Sequence, residues 1–227
     1  MKRYLVPLLA VLVACGLAWS IYNIFYVAEL EATQLYWNQK ILYFHVPFAF
    51  MLFAAVFACG IPAGIYLKTR NPRFDDIANA AAELAVVFGA VVLITGSVWG
   101  RAAWGVWWTW EMRLTTSLLL WLVMVGYVLV RRFGGAGAER LSAGLAVFAM
   151  IDVPLVYFSV KFWNFLHPKA EVASTLVGTM KTTFRMSSLT MIGLFLLLLV
   201  ARVAQARGER QLRELRERGL DAGILEP

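Results

Sequence analysis

Six long apolar stretches dominate this chain, and they constrain its fold more than any other feature. A helix needs about 20 mostly apolar residues to cross roughly 30 Å of hydrocarbon, and inside lipid an unpaired backbone is too costly for anything but a helix or a closed barrel. The stretches cover residues 4–26, 43–67, 80–98, 115–130, 141–160 and 186–203, each too long for a barrel strand. The expected fold class is an all-α integral membrane protein, a six-transmembrane-helix bundle forming one membrane domain over residues 1–227. With 61% hydrophobic against 15% charged residues, a water-soluble domain is excluded.

Lysine and arginine set the expected orientation, because short loops rich in them stay cytoplasmic. The N-terminus, 68–79, 131–140 and the tail after 201 hold 14 of these residues, while 27–42, 99–114 and 161–185 hold 7. Both termini are therefore expected in the cytoplasm. The net charge of +7 reads as this topology signal, since a nucleic-acid binder would gather its basic residues on a soluble domain. The opening "MKRYLVPLLAVLVACG" imitates a lipoprotein signal ending at Cys15, but the apolar run continues beyond it, so a full first span is expected. Cys15 and Cys59 both fall within spans and form no CxxC pair; each is expected to be a small buried apolar residue. Turns are expected at Asn71-Pro72 and around Gly134, Gly135 and Gly137. In the tail, 204–227, Glu209 with Arg213 and Glu214 with Arg218 favour a solvated helical extension, either an anchor on anionic lipid or a docking helix.

The unusual side chains gather on the outer flanks. Of two histidines, His45 opens the second span, two residues before Pro47 in what is expected to be the first helical turn, and His167 follows the fifth, before Pro168. Singly, each reads as an amphipathic interfacial side chain; together on one face they are placed to clamp one metal centre. Zinc wants three or four Cys, His or carboxylate ligands in a recognisable spacing, which the outer flanks lack. Haem needs two axial ligands and flat apolar walls.

The stretch "WGRAAWGVWWTWEMRLT" supplies candidates for such walls in Trp99, Trp104, Trp107, Trp108 and Trp110. Trp37 and Trp163 occupy the other two outer flanks, and Trp19 and Trp121 the outer halves of their spans. A lipid-anchoring aromatic belt would populate both interfaces, and this one populates the outer side alone. If 103–111 forms a surface helix, Trp104, Trp107, Trp108 and Glu111 share one face, as a membrane anchor would also arrange them. Arg101 and Arg113 suit carboxylates such as haem propionates; Arg113 equally suits Glu111 or a lipid phosphate. Asp152, within the fifth span, is expected to hydrogen-bond a neighbouring helix, and Glu83 carries no expected role.

"WGVWWTWEMRLT" resembles the tryptophan-rich WWD signature of haem-handling proteins, and its Arg-Leu-Thr ending is similar to the cytochrome c maturation protein C (CcmC) family. The likeness extends to "YFHVP" and "FSVKFWNFLH", covering most of residues 40–185. Glu111 stands where that family more commonly has aspartate, and Phe162 where tryptophan is common. The resemblance implies a bacterial inner-membrane protein that holds non-covalent haem b at the periplasmic face, with His45 and His167 as axial ligands and the tryptophan-rich loop as platform. It further implies transfer to the haem chaperone CcmE, with CcmD and the ABC transporter subunits CcmA and CcmB as partners. Such a protein is a handler with no catalytic residues of its own, and ATP hydrolysis belongs to the transporter. The alternatives are a membrane cytochrome b electron-transfer subunit, a haem handler of another cytochrome c assembly system, and a cofactor-free scaffold gripping lipid.

Overall fold

The computed structural model describes residues 2–30, 36–162 and 175–224, and all regular structure among them is helical. Helix α1 (Lys2–Tyr22) continues as a π-helical turn over Asn23–Val27, and a 3-10 turn over Tyr36–Ile41 leads into α2 (Leu42–Thr69). Then follow α3 (Pro72–Trp104), α4 (Met112–Phe133), α5 (Ala138–Phe162) and α6 (Gly178–Asp221). These six are long and apolar enough to cross a membrane. The chain is thus an all-α integral membrane protein, as expected.

The helices outrun the apolar stretches where local chemistry permits. Helix α3 starts at the Asn71-Pro72 turn, where the Asn71 side chain accepts from the Arg73 amide at 3.1 Å and proline occupies the first helical position. Helix α6 runs on for 44 residues, so the tail is a helical extension as expected, but Glu209 and Glu214 pair back with Arg202 and Arg210 rather than forward with Arg213 and Arg218. The 3-10 turn lengthens the entry to α2, which places Pro47 inside that helix, where it is buried, rather than in the first turn.

Helix α3 is the hub, packed against α2, α4, α5 and α6. Lipid is as apolar as leucine, so close approach of small side chains holds the bundle together, and α3 presents Ala78, Ala81, Ala82 and Ala85 to the core. At Gly89 a Cβ would stand 2.5 Å from Trp121 Cδ1, so the indole lies directly on the helix backbone and its Nε1–H donates to the Val86 carbonyl at 2.9 Å. Helix α1 packs mainly on α6 and leaves most of its surface exposed. That corrects the expectation for Cys15, which faces outward from α1, whereas Cys59 is buried in the core. Asp152 is buried in α5, but its Oδ2 has no hydrogen-bond partner among the described residues, contrary to the expected helix–helix bond.

The end of the bundle that carries the chain's basic tail is cross-linked by ion pairs. Arg131 of α4 meets Asp75 of α3 at 2.7 Å. Arg202 of α6 donates twice to Glu83, through Nε at 2.5 Å and Nη2 at 2.7 Å, so Glu83 has a structural role that spacing did not reveal. Arg210 reaches buried Asp76 at 3.1 Å and its own Glu214 at 2.8 Å, which ties the start of the helical tail to α3.

Candidate functional site

The opposite end holds a small cleft, open at its mouth, with a cavity volume of about 60 Å³. Its walls come from α2 (His45, Phe53), α3 (Thr95's neighbours Gly96 and Ser97, then Trp99 and Trp104), the following loop (Trp108), α4 (Arg113, Ser117) and α5 (Val156). Residues far apart in sequence converge there because α3 ends where α4 begins. Gly105 terminates α3 in a left-handed conformation (φ 78°), a backbone geometry costly for any residue with a Cβ, and its amide donates to the Arg101 carbonyl at 3.1 Å.

That cap overturns one expectation. Residues 105–111 form an irregular loop rather than a surface helix, so Trp104, Trp107, Trp108 and Glu111 do not share a helical face. The indoles divide instead into two groups. Trp99 and Trp104 meet edge to face with centroids 4.8 Å apart and line the cavity with Trp108. Trp110 meets Trp108 edge to face at 5.9 Å but is 76% exposed, and Trp107 is 60% exposed, so these two stand at the rim.

The polar groups divide in the same way. Arg113 lines the cavity, and Glu111, buried beside it, interacts with it electrostatically. Arg113 Nη1, Trp108 Nε1, Thr109 Oγ1 and Thr115 Oγ1 are all buried without a hydrogen-bond partner among the described residues. Leaving a buried donor unpaired costs about 1–3 kcal/mol, and of these four residues Arg113 and Trp108 line the cavity, where a polar ligand group gains by docking. Arg101 is exposed and turned away, its Nη1 donating to the Gly105 carbonyl at the helix cap. His45 is half-buried, with Nδ1 2.9 Å from Thr95 Oγ1. The structure thus brings together His45, Trp99, Trp104, Trp108 and Arg113; Trp163 and His167 lie outside the described residues.

A haem makes three demands on a site: a neutral imidazole nitrogen, flat apolar walls and donors for two carboxylates. This cavity supplies His45, three indoles, and Arg113 with Trp108 Nε1, so the residues fit the group. Sequence reading missed Thr95, Gly96, Ser97 and Ser117. The available signal was the run of small and hydroxyl side chains at one end of an apolar span, where each needs a packing or hydrogen-bonding reason. Lys40, counted above only within the charge of residues 27–42, has a structural role. The ammonium is buried and donates to the Ile24 and Phe25 carbonyls at 2.5 and 3.0 Å, capping the π-helical end of α1, and it lies 4.7 Å from the Trp37 ring centroid.

Comparison with known proteins gives a concordant picture. A family model described as heme exporter protein C matches residues 1–220. Heme exporter protein C of Bradyrhizobium diazoefficiens is 35% identical over 183 residues, 78% of this chain and 68% of that protein. A ccmC-like mitochondrial protein of cytochrome c biosynthesis from Arabidopsis thaliana is 32% identical over 156 residues, 69% of this chain and 59% of its own. Heme exporter protein C of Escherichia coli K12 is 32% identical over 136 residues, 57% of this chain and 54% of that protein. The match thus spans less than two thirds of the Arabidopsis and Escherichia coli proteins.

Proposed function

The chain belongs to the heme exporter protein C family, and from that premise we propose that it holds haem b, non-covalently, for cytochrome c maturation. The whole chain acts as one membrane domain of the bacterial inner membrane, with both termini cytoplasmic and the cavity at the periplasmic face. His45 and His167 are the axial ligands. Trp99, Trp104 and Trp108 wall the macrocycle, Arg113 and Trp108 Nε1 engage its carboxylates, Trp107 and Trp110 form the rim that meets the acceptor or lipid, and Trp163 is a further haem-binding residue. Glu111 holds Arg113, and Arg101 holds the cap that shapes the loop. The observation that carries this reading is one cavity lined by His45, three indoles and a guanidinium.

A cargo held for transfer needs one edge accessible, and a cleft open at the end of a bundle provides it. The acceptor is the haem chaperone CcmE, with CcmD and the transporter subunits CcmA and CcmB as companions. The protein itself performs no chemistry on the haem beyond ligating it, and ATP hydrolysis stays with the transporter. A cytochrome b subunit usually hangs its haem from histidines deep within the spans, whereas His45 lies in the first turn of α2.

Absorption spectra of the purified protein after haem-replete expression test this reading. The wild type is expected to show a low-spin haem spectrum, and His45→Ala and His167→Ala are each expected to lose or shift it. Unchanged spectra in both variants overturn the ligand assignment, and a colourless wild type overturns haem holding.

A further inference from the structure

His45 belongs to α2, but its ring is set by α3. Thr95 Oγ1 stands 2.9 Å from His45 Nδ1 and 2.7 Å from the Val91 carbonyl one turn back, with the Val92 carbonyl at 3.3 Å. A hydroxyl has one proton and two lone pairs, and carbonyl oxygens only accept. Both the shorter contact and the helix geometry direct the Thr95 proton to Val91. The Thr95 oxygen then faces Nδ1 with a lone pair, and Nδ1 must carry the hydrogen.

The next residue of α3 fixes the adjacent ring atom. A Cβ at Gly96 would come within 3.2 Å of His45 Cε1, tighter than most real contacts, so the ring edge rests on bare backbone. Two consecutive positions of α3 therefore hold the Nδ1–Cε1 edge, one by a hydrogen bond and one by steric contact. A neutral imidazole protonated at Nδ1 keeps its lone pair on Nε2.

We propose that Thr95 is a positioning residue that locks His45 as the Nδ1–H tautomer and so dedicates Nε2 to the iron of the bound haem. The proposal rests on the haem-site reading above and adds to it the residue that sets the ligand's chemistry. Its consequence for the architecture is that α3 carries both the strap and the wall. Thr95 and Trp99 stand four residues apart, one helical turn, so the ligand borrowed from α2 is registered to the same rigid element as the aromatic surface. Outer partners of this kind orient a metal-binding imidazole and raise its basicity, and removing one commonly lowers affinity about 10- to 100-fold.

The tautomer can be read without haem. Because the chain has two histidines, ¹⁵N-histidine labelling of full-length His167→Ala, haem-free, leaves a single imidazole to observe. The expected spectrum has a protonated, pyrrole-type Nδ1 and a bare, pyridine-type Nε2. The reverse assignment, or an averaged pair of signals, overturns the proposal whatever the fate of the haem-site reading.

Substitution then tests the consequence for the ligand. Thr95→Val is expected to lower haem retention about tenfold and to broaden the low-spin ferric electron paramagnetic resonance signal, while Thr95→Ser, which keeps the hydroxyl, restores both. Gly96→Ala, which displaces Cε1 and leaves the hydroxyl in place, is expected to shift the same signal. Wild-type retention and resonance in Thr95→Val overturn the proposal, as does a serine variant that behaves like valine with an unchanged melting temperature. If His45→Ala also keeps the wild-type spectrum, the site reading itself falls; if His45→Ala loses it and Thr95→Val does not, the positioning role alone falls.

Discussion

The two ends of this bundle differ in how they use charge. At the end carrying the helical tail, Asp75, Asp76 and Glu83 of α3 each meet an arginine from α4 or α6, and the pairs strap three helices together. At the other end Arg113 Nη1 and Trp108 Nε1, both of residues lining the cavity, are buried with no hydrogen-bond partner among the described residues. The first end spends its charges on pairs between helices, although Arg131 Nη1 and Arg202 Nη1 there meet carboxylates only at 3.6 and 3.5 Å and have no hydrogen-bond partner among the described residues. The second holds donors in reserve, which costs stability and suits a site awaiting a ligand. Both ends use the same helix, so the difference lies in what each terminus of α3 is asked to do.

The largest expected effect comes from breaking the reserved end without unfolding it. Arg113→Lys keeps a positive charge beside Glu111 but loses the planar fork that grips a carboxylate at two points. Loss of one charge-assisted hydrogen bond is worth about 1.5–2 kcal/mol, so haem affinity should fall about 10- to 30-fold, measured by haem titration in detergent, with an unchanged melting temperature of the haem-free protein. A variant that binds haem like the wild type removes Arg113 from the site.

The complementary change targets the ion-paired end. Asp76→Asn keeps the shape of a buried side chain that accepts from Arg210 at 3.1–3.2 Å and removes its charge. The cost should be about 1–2 kcal/mol, a drop of a few degrees in melting temperature. The haem spectrum should not move. A spectral change would show that the two ends communicate through α3 and that the division drawn between them is too sharp.

Much of this division is visible in the residues themselves, because membrane burial leaves so few polar side chains that their positions stand out. The spans and the crowding of indoles on one side follow from apolar run length and composition, and the helical tail was legible although the charge pairs that suggested it form with other partners. What could not be read is three-dimensional partnership. Glu83 and Arg202 are 119 positions apart, and no local pattern couples them. The surface helix expected over 103–111 failed because the 3.6-residue spacing of Trp104, Trp107 and Trp108 was weighed above Gly105, whose left-handed cap ends α3. Cys15 was expected inside because it falls within an apolar span as a small apolar residue, but a peripheral helix such as α1 exposes such residues to lipid at no cost. Thr95 was overlooked because a single hydroxyl in an apolar span commonly bonds back to its own helix, which Thr95 also does, at 2.7 Å to Val91.

The smallest expected effect divides two neighbours within one loop. Trp107 and Trp108 are adjacent, yet Trp108 lines the cavity while Trp107 is 60% exposed and lines none of it. An exposed indole gains little by covering a ligand it does not already face, since swinging inward would order a loop of seven residues, 105–111. Trp107→Ala should therefore change haem retention by less than about twofold, with the spectrum unaltered, and act instead on the rate at which haem leaves for its acceptor. A loss as large as that of Arg113→Lys would mean that the loop closes over the haem, and Trp107 would then move from the rim to the wall.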